Sequence, residues 1–383
     1  MKQLEEKLSK AKKAKFLRNI LVGIISLIIV AFIINIAPGY KRDKYKNRIN
    51  LVLDQENKTE ELKNEIYVND NGTVYISEED VKNLFDDTIY YDEQYNQIIT
   101  VSDTKVANIV INEKQMTINN VSQNMSDAVI KINDIIYLPI SDMTIVYNIN
   151  VQYIYETKTV IIDNLSKGII RALVSEETDI KFKPRKLSKN IGTLKEGESV
   201  YCFYTTSKGW RKIRTSTGLI GYIKANKLTG EYIVRQDMEE RGKAKVISKA
   251  DYSKNKFEIE NKRINVQKLI MNENDLEINN NAEEDIKVWV DISNEYLEGQ
   301  TNTLLKDYKT RTNLIDRIVN EAVENNIKGI VIDFNKINEK WYLKRFMIEL
   351  TPKLRELGIT TSIVINESME KSDYEDIVDF IVE

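Results

Sequence analysis

A chain of 383 residues has room for two or three domains at roughly 100–200 residues each, and with Gly 14, Pro 4, 42% apolar and 30% charged residues it is neither collagen-like nor broadly disordered. Its 56 Lys+Arg against 59 Asp+Glu give a net charge of −3, without the basic excess that engages phosphate, so no nucleic-acid partner is expected. The absence of His excludes Ser-His-Asp and Cys-His catalysis and His-ligated zinc, copper or haem, and the lone Cys202 can form no intrachain disulfide.

Residues 20–37 run without a charge, close to the ~20 needed to cross a hydrocarbon core as a helix. A buried core helix should show a polar face, yet only Ser26 and Asn35 interrupt the run. A cleaved signal is the rival, but Asn35-Ile36-Ala37 followed by Pro38 is a poor cleavage site. The reading favours an uncleaved anchor over residues 20–37 behind a cytoplasmic tail, 1–19. Seven Lys/Arg in 1–18 against five in 38–50 give a small positive-inside bias. The expectation is a single-pass protein of the cell membrane, with a polar stalk over 38–65 and every later module extracytoplasmic.

Residues 66–165 carry an internal repeat of period 62. Gly72-Thr-Val-Tyr-Ile-Ser, Tyr90-Tyr-Asp and Ile98-Ile-Thr-Val return as Ile135-Ile-Tyr-Leu-Pro-Ile, Tyr153-Ile-Tyr and Val160-Ile-Ile. Alternating β-branched and aromatic residues predict strands, with one short helix per copy, from Ser77 to Phe85 in the first: a small α+β repeat module. The pattern resembles the N-terminal domain of copper amine oxidases. Because the resemblance concerns a structural domain and no His is present, no copper function follows.

Over 169–230 the spacing changes to short strands with turn signals. Ile191-Gly-Thr-Leu-Lys-Glu-Gly-Glu-Ser-Val, Gly209-Trp-Arg-Lys-Ile-Arg and Gly218-Leu-Ile-Gly-Tyr-Ile resemble the bacterial SH3-type domain, an all-β barrel. Gly197 and Gly218 suit turns of positive φ, and Trp210 and Tyr222 supply core bulk. The resemblance implies a cell-wall peptide ligand.

From 250 to 383 strand-like and helix-like segments alternate: Ile264–Met271, Ile286–Ile292, a helix over Asn313–Asn325, a strand over Gly329–Phe334, a helix over Trp341–Leu357, a strand over Thr360–Ile365 and an apolar run from Ile377. Val288-Trp-Val-Asp-Ile-Ser-Asn, Gly329-Ile-Val-Ile-Asp-Phe-Asn, Phe346-Met-Ile-Glu-Leu and Tyr374-Glu-Asp-Ile-Val-Asp-Phe-Ile-Val together resemble family 18 glycoside hydrolases of the chitinase-like, spore-germination and cell-wall type. That resemblance implies a (β/α)8 TIM barrel, incomplete here: a full barrel needs about 250 residues, and the sequence stops inside a sixth strand, as a truncated gene product would.

The family's acidic motif D-G-x-D-x-D-x-E ends in the Glu that protonates the glycosidic oxygen, and the substrate's N-acetyl group is the nucleophile. Laid on Lys328-Gly-Ile-Val-Ile-Asp-Phe-Asn, it puts Lys328 and Val331 at the first two acidic positions, Asp333 at the third and Asn335 on the catalytic Glu. A carboxamide has no proton to give near neutral pH, and general acid catalysis contributes about 10²–10⁴-fold. Asp333 and Asn335 are therefore the candidate catalytic positions, with Trp289, Asp291 and Glu295 as candidate substrate contacts and Asp291 or Glu295 as candidate replacement acids. No metal and no cofactor are expected. The sequence thus reads as an envelope protein engaging cell-wall glycan that contains N-acetylglucosamine, or wall peptide, with weakened or absent family 18 activity; the alternative is an active glycosidase with a displaced acid.

Overall fold

In a computed structural model of the chain, the described residues are 18–30, 48–239, 241–271, 286–295 and 299–383. They form mostly strands and few helices, grouped into two compact units. One joins the described residues up to Glu65 to Asn150–Met238, and the other joins Ile66–Ile149 to Glu239–Glu383.

Residues 18–30 are helical. Among the described residues no helix is long and apolar enough to cross a membrane. This overturns the single-pass anchor read over 20–37 and, with it, the membrane localisation and extracytoplasmic topology. The sequence argument rested on a full apolar run, of which residues 31–37 lie outside the described residues, as do 1–17 of the proposed tail and 38–47 of the proposed stalk.

The first unit holds two sheets. In the smaller, Asn50–Leu53 pairs parallel with Thr159–Asn164, flanked by Ile149–Ile154 and Glu56–Asn57. The larger is antiparallel, in the order Asn190–Leu194, Thr178–Lys181, Ile220–Lys224, Trp210–Arg214, Ser199–Thr205, Ile169–Val174, Leu228–Arg235. Its core is Ala172, Val174, Ile180, Leu194, Val200, Cys202, Ile213 and Ile223. Gly218 has φ +79°, and a Cβ there would lie 2.9 Å from Thr159 Cγ2, so turn geometry and close packing both require glycine. Buried Arg214 donates two hydrogen bonds to Asp163, at 2.6 and 2.9 Å, joining the two sheets of this unit.

In the second unit the period-62 repeat becomes a local dyad. Val74–Ser77 pairs antiparallel with Ile135–Pro139 in the register Ser77 to Tyr137, Ile76 to Leu138 and Tyr75 to Pro139, so residues 62 apart exchange places about Ile76 and Leu138. The helix Glu78–Leu84 starts where the sequence puts a cap: Ser77 Oγ accepts from Asp80 N at 3.2 Å, and Glu78, Glu79 and Asp80 fill the first turn, favourably placed for the helix dipole. Tyr90–Asp92 to Val121–Asn124 then form a five-stranded antiparallel meander.

The incomplete (β/α)8 barrel expected over 250–383 is corrected to an open, half-barrel sheet of seven strands. Their order is Lys245–Ile247, Phe380–Val382, Thr360–Val364, Gly329–Asp333, Lys287–Ser293, Lys262–Ile270, Lys256–Ile259. Two features break the barrel pattern. The last strand follows its predecessor through a 3₁₀ turn at Lys371–Asp373 instead of a helix, and its free side is taken by Lys245–Ile247, which pairs with it in parallel. The other edge is an antiparallel hairpin, Lys256–Ile259 with Lys262–Ile270.

Strand alternation sends Val288, Val290, Ile292, Ile330, Ile332 and Phe334 into one core with Ile315, Ile318, Leu343, Phe346, Met347 and Leu350 of the helices Tyr308–Glu324 and Lys340–Glu356. Trp289 and Val331 go to the opposite face, with Tyr252, Ile264, Val266 and Val382. The helix Lys340–Glu356 is buried almost all round, because it also packs on the meander strands Gln97–Val101 and Val106–Val110. Its buried Arg345 and Glu349 therefore find charged partners inside the protein. Glu349 accepts from Arg311 Nε at 3.0 Å and Arg345 Nε at 2.7 Å, Arg311 Nη2 donates to Tyr90 Oη at 2.7 Å, and the Arg345 guanidinium stacks 3.7 Å from the Tyr90 ring centre.

Candidate functional site

The face of the half-barrel sheet opposite the helices carries the sequence-predicted residues. Lys287–Ser293 and Gly329–Asp333 run parallel in a register that sets Trp289 beside Gly329, Asp291 beside Val331 and Ser293 beside Asp333. Asp291 and Asp333 thus share one face near the carboxyl ends of neighbouring strands. Lys268 stands beside Asp291 on the next strand, and Ser362 beside Val331.

Gly329 is required by Trp289. A Cβ at 329 would lie 2.6 Å from three atoms of the indole, so the ring rests directly on the glycine backbone. Trp289 is 3% exposed and meets Phe257 edge-on and Phe380 at a tilt, with ring centres 6.0 and 5.6 Å away. Its ring is committed to the core.

Asp291 is 2% exposed, and Oδ2 accepts a 2.6 Å hydrogen bond from the Tyr252 hydroxyl. Tyr252 comes from the four-residue helix Lys249–Tyr252, whose cap Ser248 accepts from Asp251 N. Burial is the main force on the Asp291 carboxyl and pushes it up to about 6; the Asp333 and Glu295 charges push the same way, while Tyr252 and Lys268 oppose. Asp333 is half-buried and also raised, by burial first and then Glu295, against the Asn335 hydrogen bond, Lys268 and Lys249. Glu295 itself is exposed.

Asn335 is held from three directions. Its Nδ2 donates to Asp333 Oδ1 at 3.2 Å, its Oδ1 accepts from Asn366 Nδ2 at 3.4 Å, and its backbone N–H donates to Asn294 Oδ1 at 2.8 Å. Asn294 Nδ2 returns a 3.0 Å bond to the Asn335 carbonyl and reaches Thr301 Oγ1 at 3.0 Å. Asn294, Asn335 and Asn366 each lie one or two residues beyond the end of consecutive parallel strands, and together they form a ladder of amides across the strand ends. The sequence carried this signal, since Ile-Ser-Asn, Asp-Phe-Asn and Val-Ile-Asn recur at those ends, but only Asn335 was singled out. Tyr252, Lys268 and Ser362 were also missed. Ser362 is fully buried beside Val331, and its hydroxyl makes no hydrogen bond among the described residues.

The arrangement can hold or release one proton on Asp291 near pH 6, and it can present a carboxylate and an amide at Asp333 and Asn335. Among the described residues no group of three or more Cys, Asp or Glu could hold a metal ion.

Residues 54–162 match the family of the copper amine oxidase N-terminal domain. The match takes in nearly all of the repeat, stops short of the strand Asn50–Leu53, and crosses the division between the two units. No curated protein matches the chain. Among solved structures, similarity is found to a protein assigned as a sporulation-specific glycosylase, YdhD, from Bacillus subtilis (14% identity, 32% of this chain and 50% of that one, TM-score 0.29). It is also found to the C-terminal domain of a protein assigned as a chitinase from Desulfitobacterium hafniense (24%, 25% and 32%, 0.19) and to NlpC1 from Trichomonas vaginalis (11%, 37% and 40%, 0.16). The chain spans half or less of each of these structures, and at such TM-scores none of them fixes its fold or chemistry.

Proposed function

We propose that the strand-end face of the half-barrel sheet, opposite the two long helices, engages an oligosaccharide containing N-acetylglucosamine, as cell-wall glycans do, without cleaving it efficiently. The observation that carries this reading is the state of Asn335. At the position that the family 18 motif gives to the proton donor stands a carboxamide that donates one N–H to Asp333 and accepts from Asn366, with no acidic proton to give. Asp333, half-buried beside it, supplies an acceptor for a sugar hydroxyl or acetamido N–H.

A second reading, hydrolysis by a displaced acid, is favoured by one observation: the Asp291 carboxyl, pushed up to about 6, holds its proton in mildly acidic solution. Asp291 is sealed beneath Tyr252, so this chemistry requires the Lys249–Tyr252 turn to move.

Titration of chitotriose into the protein, followed by calorimetry, tests the first reading. Saturable binding that weakens in Asp333→Ala, with a chitotriose reporter turned over at background, is expected. Asn335→Glu combined with Val331→Asp should raise turnover, the carboxylate introduced by Val331→Asp standing between Ser362 on one strand and Asp291 on the other. Wild-type turnover that disappears in Asp291→Asn would establish the second reading and refute the first. Absence of binding would refute both.

A further inference from the structure

The meander of residues 90–124 ends in Val121–Asn124, an edge strand whose sequence, Val-Ser-Gln-Asn, holds no charge and no Pro. Edge strands commonly carry such residues to prevent pairing with another chain. It is joined to Gln115–Ile118 by a two-residue turn, Asn119 and Asn120, both at positive φ, and its register, Ile118 to Val121 through Gln115 to Asn124, has no bulge. Met125 N–H donates to the Lys114 carbonyl, so by antiparallel alternation the N–H and C=O groups of Ser122 and Asn124 turn away from the hairpin.

A cavity of about 530 Å³ adjoins this edge, between the meander and the helices Tyr308–Glu324 and Lys340–Glu356. Val121 and Gln123 line it from the strand. Val121, Ile145 and Leu357 give it an apolar rim, each about half or more exposed. Its charges are unequally satisfied. Lys353 is 5% exposed and donates to Asn120 Oδ1 and Asp316 Oδ1 at 2.9 and 2.8 Å, and Lys105 donates to the Ile145 carbonyl at 2.8 Å. Exposed Glu356 receives a 3.4 Å bond from the Asn119 amide. Both cations are engaged at short distance, while among the described residues this carboxylate is held by a long amide contact alone.

We propose that Val121–Asn124 accepts an extended peptide of a partner protein as an added strand, with a Lys or Arg side chain entering the cavity to meet Glu356 and β-branched residues two positions to either side resting on the apolar rim. The backbone groups of Ser122 and Asn124 give the affinity, and alternate side chains give the specificity. The site is separate from the strand-end face of the half-barrel sheet and does not depend on its function.

The probe is an acetylated, amidated pentapeptide, Val-Thr-Lys-Thr-Val, titrated into the full chain by calorimetry and amide NMR. Saturable binding is expected, with shifts centred on 121–124. Glu356→Gln, an exposed change that leaves folding intact, should weaken it roughly two- to five-fold, as an exposed ion pair does. Ser122→Pro removes an outward N–H while sparing the hairpin and should cost roughly five-fold; N-methylating the central residues of the peptide should have the same effect in unaltered protein. The proposal is overturned if the probe fails to bind at millimolar concentration, if a Val-Thr-Glu-Thr-Val peptide binds equally well, or if neither Ser122→Pro nor N-methylation weakens binding.

Discussion

Asp291→Asn should abolish most of a pH-dependent loss of stability in the half-barrel sheet. The carboxyl is raised from 3.8 to about 6, chiefly by burial, so the folded state favours its neutral form more than the unfolded chain does. A raised carboxyl contributes stability that is fully present below about pH 4 and is lost as pH climbs through about 6. A difference of about two pKa units corresponds to ~3 kcal/mol, of which about 2 kcal/mol falls between pH 4.5 and 7.5. Asparagine keeps the shape and can still accept from Tyr252, so the substitution removes the charge without emptying the site. Native-state hydrogen exchange on a peptide covering Lys287–Ser293, corrected for intrinsic rates, gives the local opening free energy at both pH values. Wild type should lose about 2 kcal/mol more than Asp291→Asn on going to about pH 7.5. Equal losses in the two proteins would refute the reasoning.

Glu349→Gln leaves the guanidinium groups of Arg311 and Arg345, 3% and 2% exposed, without their counter-charge, and should cost ~3–5 kcal/mol in urea denaturation. Burial pushes the Glu349 carboxyl up, but Arg345 and Arg311 outweigh it and hold it below its ordinary value. Its contribution is therefore present above the usual carboxylate range and should vanish in acid as Glu349 takes up a proton, with wild type and variant converging in stability. Gly329→Ala drives a methyl into the Trp289 ring and should lower stability by ~1–3 kcal/mol, less in a Trp289→Leu background; thermal unfolding of the four proteins decides this. Ser77→Ala removes the cap of Glu78–Leu84 and should cost ~1 kcal/mol by the same measurement.

What the sequence made legible was local. The alternation through Ile330-Val331-Ile332-Asp333 separates two cores, and helices and strands fall within a few residues of their expected positions at Tyr308–Glu324, Gly329–Asp333, Lys340–Glu356 and Thr360–Val364. Asp291 and Asp333 could be placed on neighbouring strands because strand period fixes the side to which each points. Partners distant in sequence stayed hidden. Nothing near Lys245–Ile247 signals that it pairs with Phe380–Val382 and ends the sheet that barrel-like alternation would continue. Tyr252 reaches Asp291 across 39 positions from a helix too short to show periodicity. Trp289, which the sequence leaves open between a sugar contact and core packing, lies over Gly329 because of a register that only the paired strands define. The charged residues of Lys340–Glu356 resemble a solvent-facing side in sequence, since no window of that helix reveals that a second sheet covers it.

The clamp around Tyr90 also bears on how the chain is made. Tyr90 precedes Arg311 by 221 positions, and Thr88 precedes Arg345 by 257. At ~5–20 residues per second, a ribosome delivers Arg311 about 10–45 s after Tyr90 has been added. Throughout that interval the meander face that will receive Lys340–Glu356 has no cover, and its undefended edge strand is open to any extended chain nearby. The yield of folded protein should therefore depend on synthesis rate and on chaperones that bind residues 90–124 early, more than on the stability of the finished molecule.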